Sequence, residues 1–231
     1  MRRRGSRLKR REAYIILNGL IFNLDSVDTD SYNPATPSKW QDTIGGIEAT
    51  IIADPLYNDA EKAISFDQPS EYIHLGTSLV IPSGDFTMSL YLKPLQINSN
   101  SGFFRVGNTG DTYIINNLTR PQIRITGTDI LNPIDGYSLN DDIGKSVYVS
   151  CIFKNYIDAQ NPGTIEFNVN GVTKHFAEHS KLNIGFSLND LNFQWSIDQN
   201  HKQHSKAWHF YNKALANEEI LNNLQAMQYI H

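Results

Sequence analysis

One short stretch constrains the fold of this chain more than any other. Ile165, Phe167 and Val169 alternate with Thr164, Glu166, Asn168 and Asn170; Gly171 follows, and Val172 to Phe176 can return beside them. Period two with one apolar and one polar face is the pattern of a half-buried antiparallel strand. Asn-Gly tolerates the positive φ angles of a two-residue turn, so the stretch predicts a hairpin pivoting on Asn170-Gly171. The same alternation places Phe86, Met88, Leu90 and Leu92 on one face, with Thr87, Ser89, Tyr91 and Lys93 on the other. Further strands are expected at 20–24, 63–66, 72–75, 102–106, 113–116, 122–126, 191–197 and 207–211. Turn clusters such as Tyr32-Asn33-Pro34-Ala35-Thr36-Pro37 and Gln160-Asn161-Pro162-Gly163 punctuate them. Many short strands separated in this way indicate a sandwich or barrel.

Helical spacing is convincing only at the end, where Ile220, Leu221, Leu224 and Met227 form a stripe. Asn217 is the expected cap there, and Glu218 and Glu219 suit the positive helix pole. The stripe is expected to pack the helix onto the sheets. With 231 residues and 40% hydrophobic content, one β-sandwich can fill its core. No apolar run approaches a membrane span. The single cysteine, Cys151, shares an alternating face with Val147, Val149 and Phe153, which predicts a buried thiol and no internal disulfide.

Charge is divided sharply. Arg2, Arg3, Arg4, Arg7, Lys9, Arg10 and Arg11 face only Glu12 within the first twelve residues, while the remainder holds 13 basic and 23 acidic side chains. A cationic tip on an acidic body suggests an arm that docks on something anionic, so residues 1–13 are read as an arm and 14–231 as one domain. The apolar stretch Ala13-Tyr14-Ile15-Ile16-Leu17 resembles part of an export signal, but Asn18-Gly19 interrupts it and no small-x-small cleavage site follows.

Read in order, six segments resemble the concanavalin A-like lectin and glucanase superfamily, in its laminin-G-like form. They are Gly19 to Asp25 as an opening strand, Trp40-Gln41-Asp42 to Gly45-Gly46 as the following loop, and Ala63 to Asp67 with Glu71 to Gly76 as a hairpin. Phe86 to Pro94, Gly163 to Gly171, and Phe210 to Ile220 as a strand-to-helix closure complete the set. The resemblance implies an all-β, two-sheet antiparallel jelly-roll sandwich with a short C-terminal α-helix. Gln199 to Ala207 departs from the family, which often has a Gly-rich approach and an acidic residue there, so no calcium or ligand role is carried over from that region.

The chemistry expected is sparse. Glucanases of this fold carry paired acids on one strand, because glycoside hydrolysis needs two carboxylates across the scissile bond. Ile165 to Asn170 keeps only Glu166, with amides where acids would stand, so no catalytic residue is assigned. His175 and His179 stand four apart, but their Glu is misplaced for a zinc-peptidase motif and the segment follows a hairpin. His201, His204 and His209 suggest zinc only by their number. Asp25, Asp28 and Asp30 form an oxygen-rich loop and are weak calcium candidates, with turn formation as the competing role; no other cofactor is implied. Trp208 and Trp195 read as core, whereas Trp40, in a loop, is the tryptophan most free to contact a ligand.

The resemblance extends to stand-alone domains of this type in tailed-phage particles. It implies a non-catalytic virion structural or decoration protein, capsid- or tail-associated, assembled in the host cytoplasm. The basic arm would meet other virion proteins of capsid, portal or tail. Asparagine makes up about a tenth of the chain, a bias compatible with an AT-rich genome. The alternative is a carbohydrate-binding lectin module that recognises host or environmental surface glycans. Nucleic acid is a third partner for the arm, but the acidic body disfavours a broad interface with it.

Overall fold

The computed structural model describes residues 15–231 apart from 69, 82, 97–100, 107–112, 118–119, 126–127, 132–136, 138, 156, 181–185 and 195–201. In chain order the strands are β1 (Leu20–Asp25), β2 (Lys39–Gln41), β3 (Glu48–Ile52), β4 (Leu56–Asn58), β5 (Ala63–Phe66), β6 (Tyr72–Ile81), β7 (Phe86–Gln96) and β8 (Ser101–Val106). There follow β9 (Tyr113–Asn117), β10 (Arg120–Ile125), β11 (Thr128–Leu131), β12 (Val147–Lys154), β13 (Gly163–Val169), β14 (Val172–His179), β15 (Phe186–Gln194) and β16 (Lys202–Tyr211). Helix α1 (Asn217–Ile230) comes last.

These strands form two antiparallel sheets. The first runs β14-β13-β12-β7-β16-β5-β4, with β1 also paired to β16; the second runs β11-β10-β9-β8-β15-β6-β3-β2. The alternation leaves a sandwich or a barrel open; the two-sheet sandwich that the resemblance implies is the observed fold. Its core takes the predicted apolar faces, with Phe86, Met88, Leu90 and Leu92 of β7 and Val147, Val149, Cys151 and Phe153 of β12 in one cluster. Phe86 stacks on Phe153, and Phe22 on Phe210, at centroid separations of 4.8 and 5.2 Å. Burial pushes the Cys151 thiol up to about 12, consistent with a packing role.

The hairpin pivots where the sequence places it. Asn170 and Gly171 have φ angles of 54° and 79°, and β13 pairs with β14 on either side of them. The Asn170 amide oxygen also accepts the Tyr148 N–H at 2.8 Å, tying the turn to β12. A side chain at Gly171 would collide with Leu221 of α1, so glycine here serves both the turn and the helix contact.

One expectation is corrected. The polar face of β7 does not meet water: Thr87 and Ser89 are fully buried and Tyr91 nearly so. Helix α1 covers this outer face of the first sheet, and Ile220, Leu224 and Met227 join Tyr91, Tyr148, Ile152 and Tyr211 in a second apolar cluster. The polar atoms beneath it bond to one another or to backbone. Ser89 Oγ lies 2.8 Å from Ser150 Oγ, and the Thr87 hydroxyl donates to the Lys213 carbonyl at 2.9 Å. The helix start is corrected as well. Asn217 is already helical, and Ala216 holds the cap position with extended backbone. Glu219 reaches back to accept the Ala216 N–H at 3.0 Å while Lys213 donates to the same carboxylate at 2.6 Å.

Candidate functional site

Strand β4 ends the first sheet, so among the described residues its outer edge has no strand beside it. Tight turns set it there. Ala53 and Asp54 before it and Lys62 after it adopt positive φ angles, and Asn58 Oδ1 accepts the N–H groups of Ala60 and Glu61 at 3.1 Å each. Tyr57 is half-buried and packs against the core, while Leu56 on the opposite face is 77% exposed.

The Tyr57 ring is held in place. It stacks on Tyr32 at 5.1 Å with an interplanar angle of 26°, and Tyr32 meets Trp40 edge-on at 6.1 Å. Burial holds the phenols of both tyrosines above their usual range, so both stay protonated and neutral near pH 7. Two depressions adjoin on this ring. The larger, about 510 Å³, is lined by Leu56, Tyr57, Asn58, Asp59, Ser65 and Asp67 among others. The smaller, about 350 Å³, brings Ser26, Thr29, Tyr32, Lys62 and Ile230 to the same Tyr57 and Asp59.

Behind the larger depression, register aligns Leu56, Ser65, His204 and Lys93 across β4, β5, β16 and β7. Ser65 Oγ lies 2.9 Å from His204 Nδ1, and burial lowers the His204 pKa, so a neutral imidazole holds the hydroxyl. Glu61 accepts a hydrogen bond from Lys93 and lies 3.6 Å from Lys206 Nζ. The Lys93 hydrogen bond is the main reason the Glu61 carboxyl is held low. The edge thus offers a fixed aromatic face, a hydroxyl, an amide and two carboxylates to a ligand. That combination suits a polyhydroxylated molecule with one apolar face.

The candidate side chains named from the sequence take the following places. Trp40 is not a free ring: it lies in β2, is fully buried, and faces the core beside Tyr32. The short β2–β3 pairing turns it inward, so its role is packing, and of the Trp40, Tyr32 and Tyr57 rings only Tyr57 is half-exposed. Asp25, Asp28 and Asp30 serve the turn. Asp25 Oδ1 accepts the Val27 N–H and Asp28 Oδ1 the Asp30 N–H, each at 3.0 Å, and Asp25 also pairs with His231 at 3.2 Å. Among the described residues no group of three His, Cys, Asp or Glu side chains is arranged to hold a metal ion. His175 and His179 sit on strand β14, where His179 stacks on Phe153 at 4.6 Å. Glu166 accepts a hydrogen bond from Thr173, and Asn168 beside it on the strand is fully buried. Trp208 lies in the core as expected. Arg2, Arg3, Arg4, Arg7, Lys9, Arg10 and Arg11, together with Trp195 and His201, lie outside the described residues.

Sequence reasoning missed Tyr57. Its signal was an aromatic followed by Asn58-Asp59 in Leu56-Tyr57-Asn58-Asp59, just before the predicted strand at 63–66.

Comparison with known proteins identifies the architecture. No family model and no curated protein matches this chain. Solved structures do match. A botulinum neurotoxin DC binding domain in complex with rat synaptotagmin II has a TM-score of 0.68 at 13% identity, over 91% of this chain and 52% of that one. Botulinum neurotoxin type C, whose uptake into cells depends on two ganglioside molecules, gives 0.66 at 11% identity, over 91% and 52%. A Trypanosoma rangeli sialidase, captured as a covalent intermediate with 2,3-difluorosialic acid, gives 0.61 at 12% identity, over 92% and 34%. The chain thus spans about half the length of the toxin domains and a third of the sialidase. The likeness defines the class of fold, a two-sheet β-sandwich shared with receptor-binding domains.

Proposed function

We propose that this protein is a carbohydrate-binding module that recognises surface glycans, and that it holds them at the β4 edge. The observation that carries the reading is the Tyr57 ring, fixed by Tyr32 between two adjoining depressions with polar groups on either side. The apolar C–H face of a pyranose packs on such a ring while its hydroxyls bond to Asn58, Asp59, Ser65 and Asp67. The sandwich shared with ganglioside-dependent toxin domains is compatible with this use, although fold alone assigns no ligand. Glu166 stands on its strand without a second acid, so the reading is binding without turnover.

A glycan array followed by titration calorimetry tests the reading. Tyr57→Ala is expected to lower affinity about tenfold or more, the loss of one stacking platform, while the folded far-UV spectrum is retained. A binder whose affinity does not change in that variant would place the site elsewhere.

A second reading has its own support in the charge division: seven of the 20 basic residues stand within residues 1–12. In it the protein resides in a tailed-phage virion, and the arm docks on an acidic capsid, portal or tail surface, ordering as it binds. Deleting residues 1–12 is then expected to abolish particle incorporation without unfolding the sandwich. Unchanged incorporation would remove this reading and leave the glycan site standing.

A further inference from the structure

We infer that the β4 edge selects glycans without a carboxylate, uncharged sugars or amino sugars, and rejects sialylated ones; this rests on the glycan-binding reading above. The charges around Tyr57 decide it. Asp59 and Asp67 line the larger depression, both are exposed, and among the described residues no lysine or arginine lines it with them. The smaller depression contains Lys62, but its Nζ lies 3.0 Å from Asp59 Oδ1 and is already paired. Behind the row, Lys93 and Lys206 share the single Glu61 carboxylate, Lys206 is buried over the Tyr91 ring, and neither lines the depression.

A carboxylate entering the larger depression would therefore sit beside Asp67 and the Lys62-paired Asp59, with no lysine or arginine among the described lining residues to receive it. A sugar hydroxyl instead donates to Asp59 or Asp67 in a charge-assisted hydrogen bond, and a protonated amino group gains an ion pair. Ser65, held by the neutral His204, adds a group that can donate or accept without preference for charge.

The test uses the full chain and matched glycans, each core presented with and without a terminal sialic acid, including cores ending in glucosamine. The unsialylated member of a bound pair is expected to bind about tenfold more tightly at low salt, with the ratio shrinking in about 0.5 M salt as the carboxylates are screened. Asp59→Asn removes one carboxylate and releases Lys62, so the ratio should narrow. Asp67→Asn, a second exposed position, should narrow it by a smaller step. Sialylated members binding as tightly as their partners, or more tightly, would overturn the selectivity and leave glycan binding intact. Binding to neither member across the array would remove the glycan reading and the selectivity with it.

Discussion

Replacing Asn223 with alanine is expected to cost about 3 kcal/mol or more of stability and to loosen α1 from the sheet. Asn223 is fully buried and joins three parts of the chain. Its Oδ1 accepts the Ile16 N–H at 2.8 Å, and its Nδ2 donates to Tyr211 Oη at 2.9 Å and Tyr148 Oη at 3.3 Å. Tyr148 Oη continues to His209 Nδ1 at 3.1 Å. Burial raises both tyrosine pKa values, so these hydroxyls stay protonated. Alanine would leave the part-buried Ile16 N–H and the Tyr211 phenol without this partner, and a small cavity beneath the helix. Each orphaned group costs about 1–3 kcal/mol, which is why the sum exceeds an ordinary surface substitution. Urea denaturation measures the loss; a change below about 1 kcal/mol would mean that apolar contacts alone dock the helix.

Acid is expected to weaken the fold by about 3 kcal/mol between pH 6.5 and 4, through His209. Burial of this fully enclosed imidazole lowers its pKa to about 4; Asp25 opposes the shift and His231 adds to it. An unfolded histidine titrates near 6.5. Between these values the unfolded chain holds a proton that the folded one refuses, so stability rises with pH and is lost as pH falls. His204 acts in the same direction, and Glu71, whose carboxyl burial raises, acts in the opposite one. His209→Gln isolates the contribution, since an amide oxygen still accepts from Tyr148. Denaturation midpoints should fall less steeply with acid in the variant. A native-like slope would clear His209 as the sensor. Below this range Asp25 takes over. Burial works to raise its carboxyl, but the hydrogen bond and charge of His231, with the Val27 N–H, hold it below the usual value. That stability is lost as pH falls through the lowered pKa.

Much of the fold was legible because strand alternation and turn chemistry are local. Asn170-Gly171 pivots its hairpin because few other pairs accept two positive φ angles. The strand at 63–66 was read with its observed bounds. Others were read short: β6 runs on to Ile81 beside β15, and β16 starts at Lys202 through polar residues that β5 and β7 hold extended from both sides. The site was less legible. Trp40 and Tyr57 are both aromatics with a polar residue directly after them, and only the pairing of β2 with β3 and the edge position of β4 separate the buried ring from the half-exposed one.

By itself, the sequence determined the all-β class, the hairpin, the apolar faces around Cys151 and the presence of one closing helix. All of these follow from the period of side chains along a strand or helix and from the φ angles that single residues tolerate. The tertiary structure alone decided that the Thr87-Ser89-Tyr91 face lies under α1, that Ala216 takes the cap, and that Tyr57 is half-exposed at the β4 edge while Trp40 is buried. Hydroxyls and amides carry the same pattern whether they bond to water or to one another. Which of these occurs depends on segments more than a hundred residues apart meeting in space, as Thr87 meets Leu215 and Ile16 meets Asn223.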